Sequence, residues 1–227
     1  MLIKWGSIVV KGSGKLGGHV FSGGPGGASV HTLAKARNPQ TKYQMAIRAR
    51  FNLLTQSWRD LTEVQRESWY GAESEFSRKN RFGDVVTLSG KNLYESLNIN
   101  RQILGLGVID IAPLPVELFK NLTREAYIAS PGNRLVILGD YVGGEKYVIV
   151  ATPGVSMGAK NIKNEFRNLS VVSASGNGVE LGGGTANYTA YINRFGVPMT
   201  NTKLLIGSYS INASGQKSTV SSVRLDF

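Results

Sequence analysis

The chain has 227 residues, 41% of them hydrophobic and 18% charged, which is the composition of a folded protein with room for one large domain or two small ones. It contains no cysteine, so disulfides, a thiolate nucleophile and cysteine-ligated zinc or iron–sulfur sites are excluded. The N-terminus lacks the apolar region of a signal peptide, and no apolar run approaches the roughly 18 residues of a membrane span, so we predict neither.

The net charge of +11 is concentrated in the N-terminal quarter. Residues 1–59 contain nine Lys or Arg and no Asp or Glu, whereas residues 60–227 contain seventeen basic and fifteen acidic residues. A segment of this kind favours contact with a polyanion or with an acidic protein surface. The alternative is a solvated basic face that aids solubility.

Residues 1–37 are predicted to form a glycine-rich basic arm, because nine of the 28 glycines lie within the first 27 residues. Short β-like pieces flank the turn-forming segment 22–27 and predict a β-hairpin, His19–Phe21 against Ser29–Leu33, on a flexible leader. Two strands are only marginally stable in water. We therefore expect the arm to become ordered against the helices or against a neighbouring subunit.

The arm also contains two weak signals for ligand binding. Gly14-Lys15 is similar to the end of a phosphate-binding loop, but Val9 and Leu16 occupy the positions of its first glycine and its Mg²⁺-binding hydroxyl. His19 and His31 would lie across the hairpin from each other, yet two histidines without a nearby carboxylate do not complete a metal site. We predict no cofactor and no metal.

Residues 38–109 are predicted to form a helical domain. The first helix would begin with Asn38 as its N-cap and Pro39 at its first position. Its apolar face follows at helical spacing, at Tyr43, Ile47, Phe51, Leu54 and Trp58. A second helix would begin at either of two capping boxes, Asp60 with Glu63 or Thr62 with Gln65.

The turn between these two helices is short, which predicts a helical hairpin. The side chains expected to hold the hairpin together are Phe51, Trp58, Trp69 and Phe76. A third helix is predicted from a cap at Ser89 to a glycine stop at Gly105.

The C-terminal half has a different pattern. Residues 110–115 are predicted to be a proline-stiffened linker, and residues 116–227 a β-domain. Its predicted strands are Leu122–Ile128, Leu135–Leu138, Tyr147–Ala151, Arg167–Val172, Asn187–Ile192, Lys203–Tyr209 and Val220–Leu225. Seven short strands with regular turns predict an antiparallel β-sandwich of immunoglobulin or fibronectin type III kind, with a jelly roll or small barrel as the alternative. The predicted fold class is therefore α+β.

No set of residues indicates catalysis. A histidine-based triad would have to use one of the two histidines of the arm. The nearest pair of carboxylates, Glu73 and Glu75, would lie on different faces of a helix. We predict a protein without enzymatic activity.

The basic residues of the first quarter predict a surface that faces DNA or a neighbouring subunit. They are Lys11, Lys15, Lys35, Arg37, Lys42, Arg48 and Arg50. No helix-turn-helix, zinc-finger or RNA-recognition signature accompanies them, so any contact with DNA is expected to be non-specific.

Six short motifs occur in order between residues 12 and 105. They are GKLGGHVF at 14–21, NPQT at 38–41, RxRF at 48–51, SWRxLTxxQRxxW at 57–69, FG at 82–83 and LSGxNLY at 88–94. In this series the chain resembles a group of structural proteins of tailed bacteriophages and prophages, including those of crAss-like phages. One departure is SGGPGG at 22–27, where a polar Asn-Arg turn is expected. The resemblance implies a non-enzymatic virion component.

From the resemblance and the basic arm we predict a homo-oligomeric ring or lattice protein, made in the bacterial host cytoplasm and located in the virion. A neck or tail ring of the head-to-tail connector region is preferred, because a basic arm there would face the DNA channel. Its predicted partners are other copies of itself, the portal, neck or capsid proteins and packaged DNA, but no membrane. The alternatives are a capsid auxiliary or decoration protein, a non-specific nucleic-acid-binding module, and a carbohydrate-binding sandwich with Tyr188, Tyr191 and Tyr209 on one sheet face.

Overall fold

The computed structural model describes residues 2–6, 12–24, 27–35, 38–80, 82–116, 122–129, 134–142, 145–160, 162–174, 178–180 and 184–227. The chain divides into two compact units, unit 1 (Met1–Ile99 and Ile109–Pro115) and unit 2 (Asn100–Val108 and Val116–Phe227). Each unit combines helix with antiparallel sheet, so the predicted α+β class is confirmed. Residues 110–115, predicted to be a linker, are part of unit 1.

Unit 1 begins with a four-stranded antiparallel sheet, the arm sheet. Its strands are β1 (Leu2–Ile3), β2 (Gly14–Leu16), β3 (His19–Gly24) and β4 (Gly27–Thr32), in the order β1-β4-β3-β2. Strands β3 and β4 form the predicted hairpin, and β1 and β2 extend it on both sides, where the sequence indicated only a flexible leader. The turn between β2 and β3 requires Gly17, whose φ of +56° lies in the left-handed region. The apolar piece at residues 8–10 lies outside the described residues.

Helix α1 (Lys42–Asp60) begins later than predicted. Its N-cap is Thr41, whose hydroxyl accepts from the Gln44 N–H at 3.3 Å while the Gln44 side chain accepts from the Thr41 N–H at 3.3 Å. The prediction of Asn38 as the cap is wrong, because Gln40 has a φ of +49° and interrupts the helical backbone before Thr41. The Asn38 side chain instead accepts a 2.8 Å hydrogen bond from Arg48.

Helix α2 (Glu63–Gly71) uses the second of the two predicted capping boxes, Thr62 with Gln65. After it come the short paired strands β5 (Arg78–Lys79) and β6 (Val85–Val86), and then helix α3 (Gly90–Ile103). Helix α3 ends at the predicted glycine. Gly105 has a φ of +72°, and the N–H groups of Gly105 and Leu106 donate to the carbonyls of Gln102 and Arg101, as in a Schellman motif.

The core of unit 1 is built from the end of α1, α2 and the start of α3. Its buried apolar residues are Leu54, Trp58, Leu61, Trp69, Ala72, Leu93, Tyr94 and Leu97. The Tyr94 ring is in contact with both tryptophans, with ring centroids 5.3 Å from Trp58 and 5.2 Å from Trp69. The returning segment at residues 109–115 is fixed to this core because the Trp69 indole N–H donates to the Asp110 carbonyl at 2.8 Å.

Unit 2 contains two antiparallel sheets. One has the order β12-β8-β7, and the other has the path β10-β13-β9-β11 with β14 paired to β13. The bounds are β7 (Leu122–Ala129), β8 (Arg134–Tyr141), β9 (Lys146–Ala151), β10 (Val155–Ser156), β11 (Arg167–Ser173), β12 (Gly178–Glu180), β13 (Thr202–Ile211) and β14 (Ser221–Asp226), with a short 3₁₀ helix at Ile162–Glu165. Six of the seven predicted strands are thereby confirmed.

The seventh prediction, a strand over Asn187–Ile192, is wrong. These residues belong to helix α4 (Gly184–Phe195). The segment NYTAYI alternates like a strand, but Tyr191 and Phe195 are also four residues apart, and their rings pack with centroids 5.2 Å apart. Burial at helical spacing decides the conformation, with Asn187 at 0% and Tyr191 at 2% exposure.

Both sheets and α4 contribute to one core in unit 2, which includes Ile137, Ile149, Tyr191 and Ile206. The edges of β7 and β14 are joined where the Thr123 N–H donates to the Ser221 hydroxyl at 2.9 Å. The opposite face of β9 and β13 packs against residues 103–106, with Leu104 against Val148 and Val150.

Candidate assembly interface

The arm sheet is amphipathic. Cross-strand partners lie on the same face of a sheet and successive residues alternate between faces. The register Phe21↔Val30 therefore defines a mainly apolar face, the apolar face, that carries Ile3, Leu16, Phe21, Ala28 and Val30, with the polar His19 and Thr32 at one end. The opposite face carries Lys15, Val20, Ser22, Ser29 and His31. The Trp5 ring lies near the Phe21 ring, with centroids 5.8 Å apart.

Among the described residues, the arm sheet does not pack into a core. No described side chain between residues 3 and 53 is buried, and Leu16 on the apolar face is 72% exposed. A described connection from the arm to the rest of unit 1 is made by Lys4, whose ammonium lies 3.5 Å from the Asp84 carboxylate and 5.2 Å from the centroid of the Phe82 ring. Exposed ion pairs of this kind contribute little to stability.

The first half of α1 continues this exposed region. At 100° per residue, Tyr43, Ile47 and Phe51 share one side, which we call the inner stripe because it continues towards buried Leu54 and Trp58. Roughly opposite lies the outer stripe, formed by Met45, Ala46, Ala49 and Leu53. Met45 is 50% and Leu53 58% exposed. A helix that is apolar on two sides is normally enclosed by other elements, so this half of α1 has the character of an interface.

The predicted packing residues differ in their placement. Trp58 and Trp69 are buried in the core of unit 1, and Phe76 packs against it. Phe51 is 41% exposed and lies outside that core, so the structure does not give it the predicted role in hairpin packing. The contact between the helices is near the bend, where the Trp58 and Tyr70 rings meet edge to face at 6.0 Å.

The structure describes five of the seven predicted basic residues. Lys15, Lys35 and Lys42 are exposed, whereas Lys11 and Arg37 lie outside the described residues. Arg48 and Arg50 are two residues apart on a continuous helix, so their side chains leave it about 200° apart. Arg48 and Arg50 therefore do not lie on one side of α1.

The structure also separates the two histidines. His19 pairs with Thr32 and His31 with Val20, so the imidazoles lie on opposite faces of the hairpin. Within the described residues, no group of three or more His, Asp or Glu side chains is arranged to hold a metal ion. In the same part of the chain, no helix has the combination of length and hydropathy needed to cross a membrane.

The tyrosines of the carbohydrate-binding alternative do not share a face. Tyr191 is buried in the core between the sheets, whereas Tyr209 packs on the opposite face of the larger sheet with Leu104. The aromatic platform of that alternative is therefore not formed.

The sequence indicated the arm and the inner stripe but missed the outer stripe. The signal was present, because Met45, Ala49 and Leu53 follow one another at intervals of four residues.

Comparisons with protein-family models, with curated proteins and with solved structures found no match.

Proposed function

We propose that this protein is a non-enzymatic structural protein that assembles with other copies of itself into a ring or lattice. The observation that carries the proposal is the exposure of the N-terminal quarter. It forms an amphipathic sheet and a two-sided helix without burying a described side chain before Leu54. Burying a large apolar side chain is worth about 1.5–3 kcal/mol, so a neighbouring chain that covers Leu16, Phe51 and Leu53 would gain several kcal/mol.

The proposed setting is the virion of a tailed bacteriophage, assembled from protein made in the host cytoplasm. Support comes from the resemblance of residues 12–105 to phage structural proteins. A neck or tail ring is preferred, with portal, neck or capsid proteins as further partners. A capsid auxiliary or decoration protein is the alternative, and it would use the same exposed arm on the outer surface of the head.

For the fold of unit 2, we propose a variant of the immunoglobulin or fibronectin type III sandwich. Two antiparallel sheets over a common core support it. The alternative is a jelly roll or small barrel, and the junction of β7 with β14 supports it.

Self-assembly can be tested by sedimentation velocity and native mass spectrometry of the intact chain over a range of concentrations. We expect a discrete oligomer, and we expect Leu16→Asp with Phe51→Asp to convert it to a folded monomer. The matched control is Val197→Asp with Met199→Asp, which charges two exposed apolar residues of unit 2 (67% and 76% exposed) and should leave the oligomer intact. A wild-type chain that remains monomeric at every concentration would contradict the proposal.

Non-specific nucleic-acid binding is the second candidate. It is supported by the acid-free segment 1–59 and by the exposed side chains of Lys15, Lys35 and Lys42. For binding of this kind, the logarithm of the association constant falls linearly with the logarithm of the salt concentration. Each phosphate contact adds about one unit to the magnitude of this slope. Reversal of the three lysines to Glu should lower the slope by about three. A slope near zero for the wild type would end this candidate.

A further inference from the structure

Helix α2 presents an exposed acidic face, and at its edge the ring of Tyr70 contacts Trp58 of the core. Glu63, Val64, Glu67 and Tyr70 lie within about 120° of one another on the helix, and all four are exposed, Val64 to 76% and Tyr70 to 52%. We call these four residues the acidic face. Buried Trp69 lies outside this group and packs into the core of unit 1.

The carboxylates of the acidic face have no ion pair within the described part of the chain. The segment 60–75 contains five acidic residues and a single base, Arg66. Its guanidinium donates to the backbone carbonyls of Arg59 at 2.7 Å and Trp58 at 3.4 Å, at the end of α1. The guanidinium of Arg66 therefore caps the C-terminal carbonyls of α1. The carboxylates of Glu63 and Glu67 remain available to an outside partner.

The outer stripe of α1 has the complementary character. Along one edge of its exposed apolar side chains, Lys42, Ala46 and Arg50 follow at intervals of four residues. Acidic residues are absent from the whole of residues 1–59. The two surfaces are also comparable in length, since twelve residues of α1 and nine of α2 span about 18 Å and about 14 Å at 1.5 Å per residue.

We propose that the outer stripe of α1 in one copy docks on the acidic face of α2 in a second copy. This rests on the proposed self-assembly and names one pair of surfaces that would contribute to it, in addition to the arm sheet. Within one chain, Leu54 and Trp58 of α1 and Trp69 of α2 are held in the same core, whereas the outer stripe and the side of α2 that carries Glu63, Val64 and Glu67 lie away from it. The contact therefore forms between two chains. Apolar side chains meet along the contact. The long side chains of Lys42 and Arg50, about 12 Å apart along α1, converge on Glu63 and Glu67, about 6 Å apart along α2.

This contact joins two different patches and is therefore head-to-tail. A head-to-tail contact closes into a ring, or continues as a filament where the rotation does not close, whereas a twofold dimer would need the same patch on both sides. The charges also set the direction of docking, because two outer stripes brought together would place like charges side by side.

Charge reversal on α2 tests the proposal. Glu63→Lys with Glu67→Lys should weaken self-association at physiological ionic strength by at least about tenfold, since it places lysines against the basic edge of the neighbouring α1. Glu125→Lys with Glu165→Lys, both exposed in unit 2, makes the same change in net charge and should leave association unchanged. All three tryptophans lie in unit 1, so their fluorescence reports whether unit 1 of the α2 variant is folded, and circular dichroism reports whether the unit 2 control is folded.

The decisive variant reverses both sides in one chain. Lys42→Glu, Arg50→Glu, Glu63→Lys and Glu67→Lys together should restore association to within about threefold of the wild type, because the pairs re-form with opposite sign. If the wild type assembles and Glu63→Lys with Glu67→Lys assembles equally well, the docking is overturned and the proposed function remains. A swapped chain that stays as weak as the α2 variant also overturns the docking. A wild type that never associates overturns both.

Discussion

Glu73 and Gly90 are joined by a hydrogen bond in which the Gly90 backbone N–H donates to the Glu73 carboxylate at 2.6 Å. Gly90 is the first residue of α3, so a side chain that follows α2 satisfies one of the free donors at the start of the next helix. A negative charge at this end also interacts favourably with the helix dipole. Seventeen residues of chain separate the two partners.

Removal of this cap should destabilise unit 1. We expect Glu73→Ala to lower the free energy of unfolding by about 1.5 kcal/mol, because a part-buried N–H loses a charged acceptor. Glu73→Gln keeps an acceptor oxygen and should cost less than half as much. The measurement is urea unfolding followed by tryptophan fluorescence. Exposed Glu75→Ala is the control, and an equal loss there would show that the cap is not the cause.

The close approach of Gly90 to α2 gives a second prediction. A Cβ at residue 90 would lie 2.8 Å from Tyr70 Cδ1 and 2.9 Å from the Trp69 carbonyl carbon. Gly90→Ala should therefore cost about 1–3 kcal/mol through overpacking. A Cβ at Gly71 would meet nothing within 4 Å, so Gly71→Ala should be neutral or stabilising by up to about 1 kcal/mol. Thermal unfolding of the two variants separates them, and similar melting temperatures would contradict the prediction.

Asn98 fastens the returning chain to α3. Its side-chain amide donates to the Ile109 carbonyl at 3.2 Å and accepts from the Ile109 N–H at 2.8 Å, and it is fully buried. Asn98→Leu would leave both backbone groups without these partners and should cost about 2–4 kcal/mol. Asn92→Leu, exposed on the same helix, should change stability by less than about 0.5 kcal/mol. Hydrogen exchange at Ile109 provides a local readout, and unchanged protection in Asn98→Leu would refute the assignment.

Alkaline pH should destabilise unit 2 through its buried tyrosines. Burial raises the pKa of Tyr141, Tyr147 and Tyr191 above the ordinary value of 10.0. The folded state then holds these protons more tightly than the unfolded state, so the stability they contribute is fully present below pH 10.0 and is lost as the pH rises through the raised values. Unfolding of the wild type and Tyr191→Phe across this range is the measurement. The variant should show the shallower loss, and identical slopes would contradict the prediction.

The sequence predicted those elements whose local signals agree with their packing. Examples are the capping box of Thr62 with Gln65 and the strands β7, β8, β9, β11, β13 and β14, where capping residues and short apolar runs bounded by turns agree with the structure. Helix α4 was missed because NYTAYI fits both a two-residue and a four-residue period. Only the tertiary contact of Asn187 with Ser170, a 2.6 Å hydrogen bond, and the burial of Tyr191 select the helix.

The candidate interface was only half predictable for a related reason. Apolar spacing shows that Tyr43, Ile47 and Phe51 share a side of α1. It does not show which turns of the helix are buried by other residues of the same chain. The core of unit 1 covers α1 only from Leu54 onwards. The strand register of the arm was likewise not predictable. The separation of His19 from His31 depends on which residues pair across the hairpin, and composition does not specify this pairing.

The route of the chain has a practical consequence for dividing the gene. The polypeptide changes unit after Ile99, after Val108 and after Pro115, and Leu104 in the short excursion lies against β9 and β13. A fragment that ends at residue 115 therefore exposes the apolar residues of the segment 100–108, because β9 and β13 are missing. A fragment that starts at residue 116 lacks this segment, so the matching face of β9 and β13 is exposed. Division of the chain at residue 115, by fusion, domain swapping or proteolysis, would therefore destabilise both products. The two units must be exchanged together.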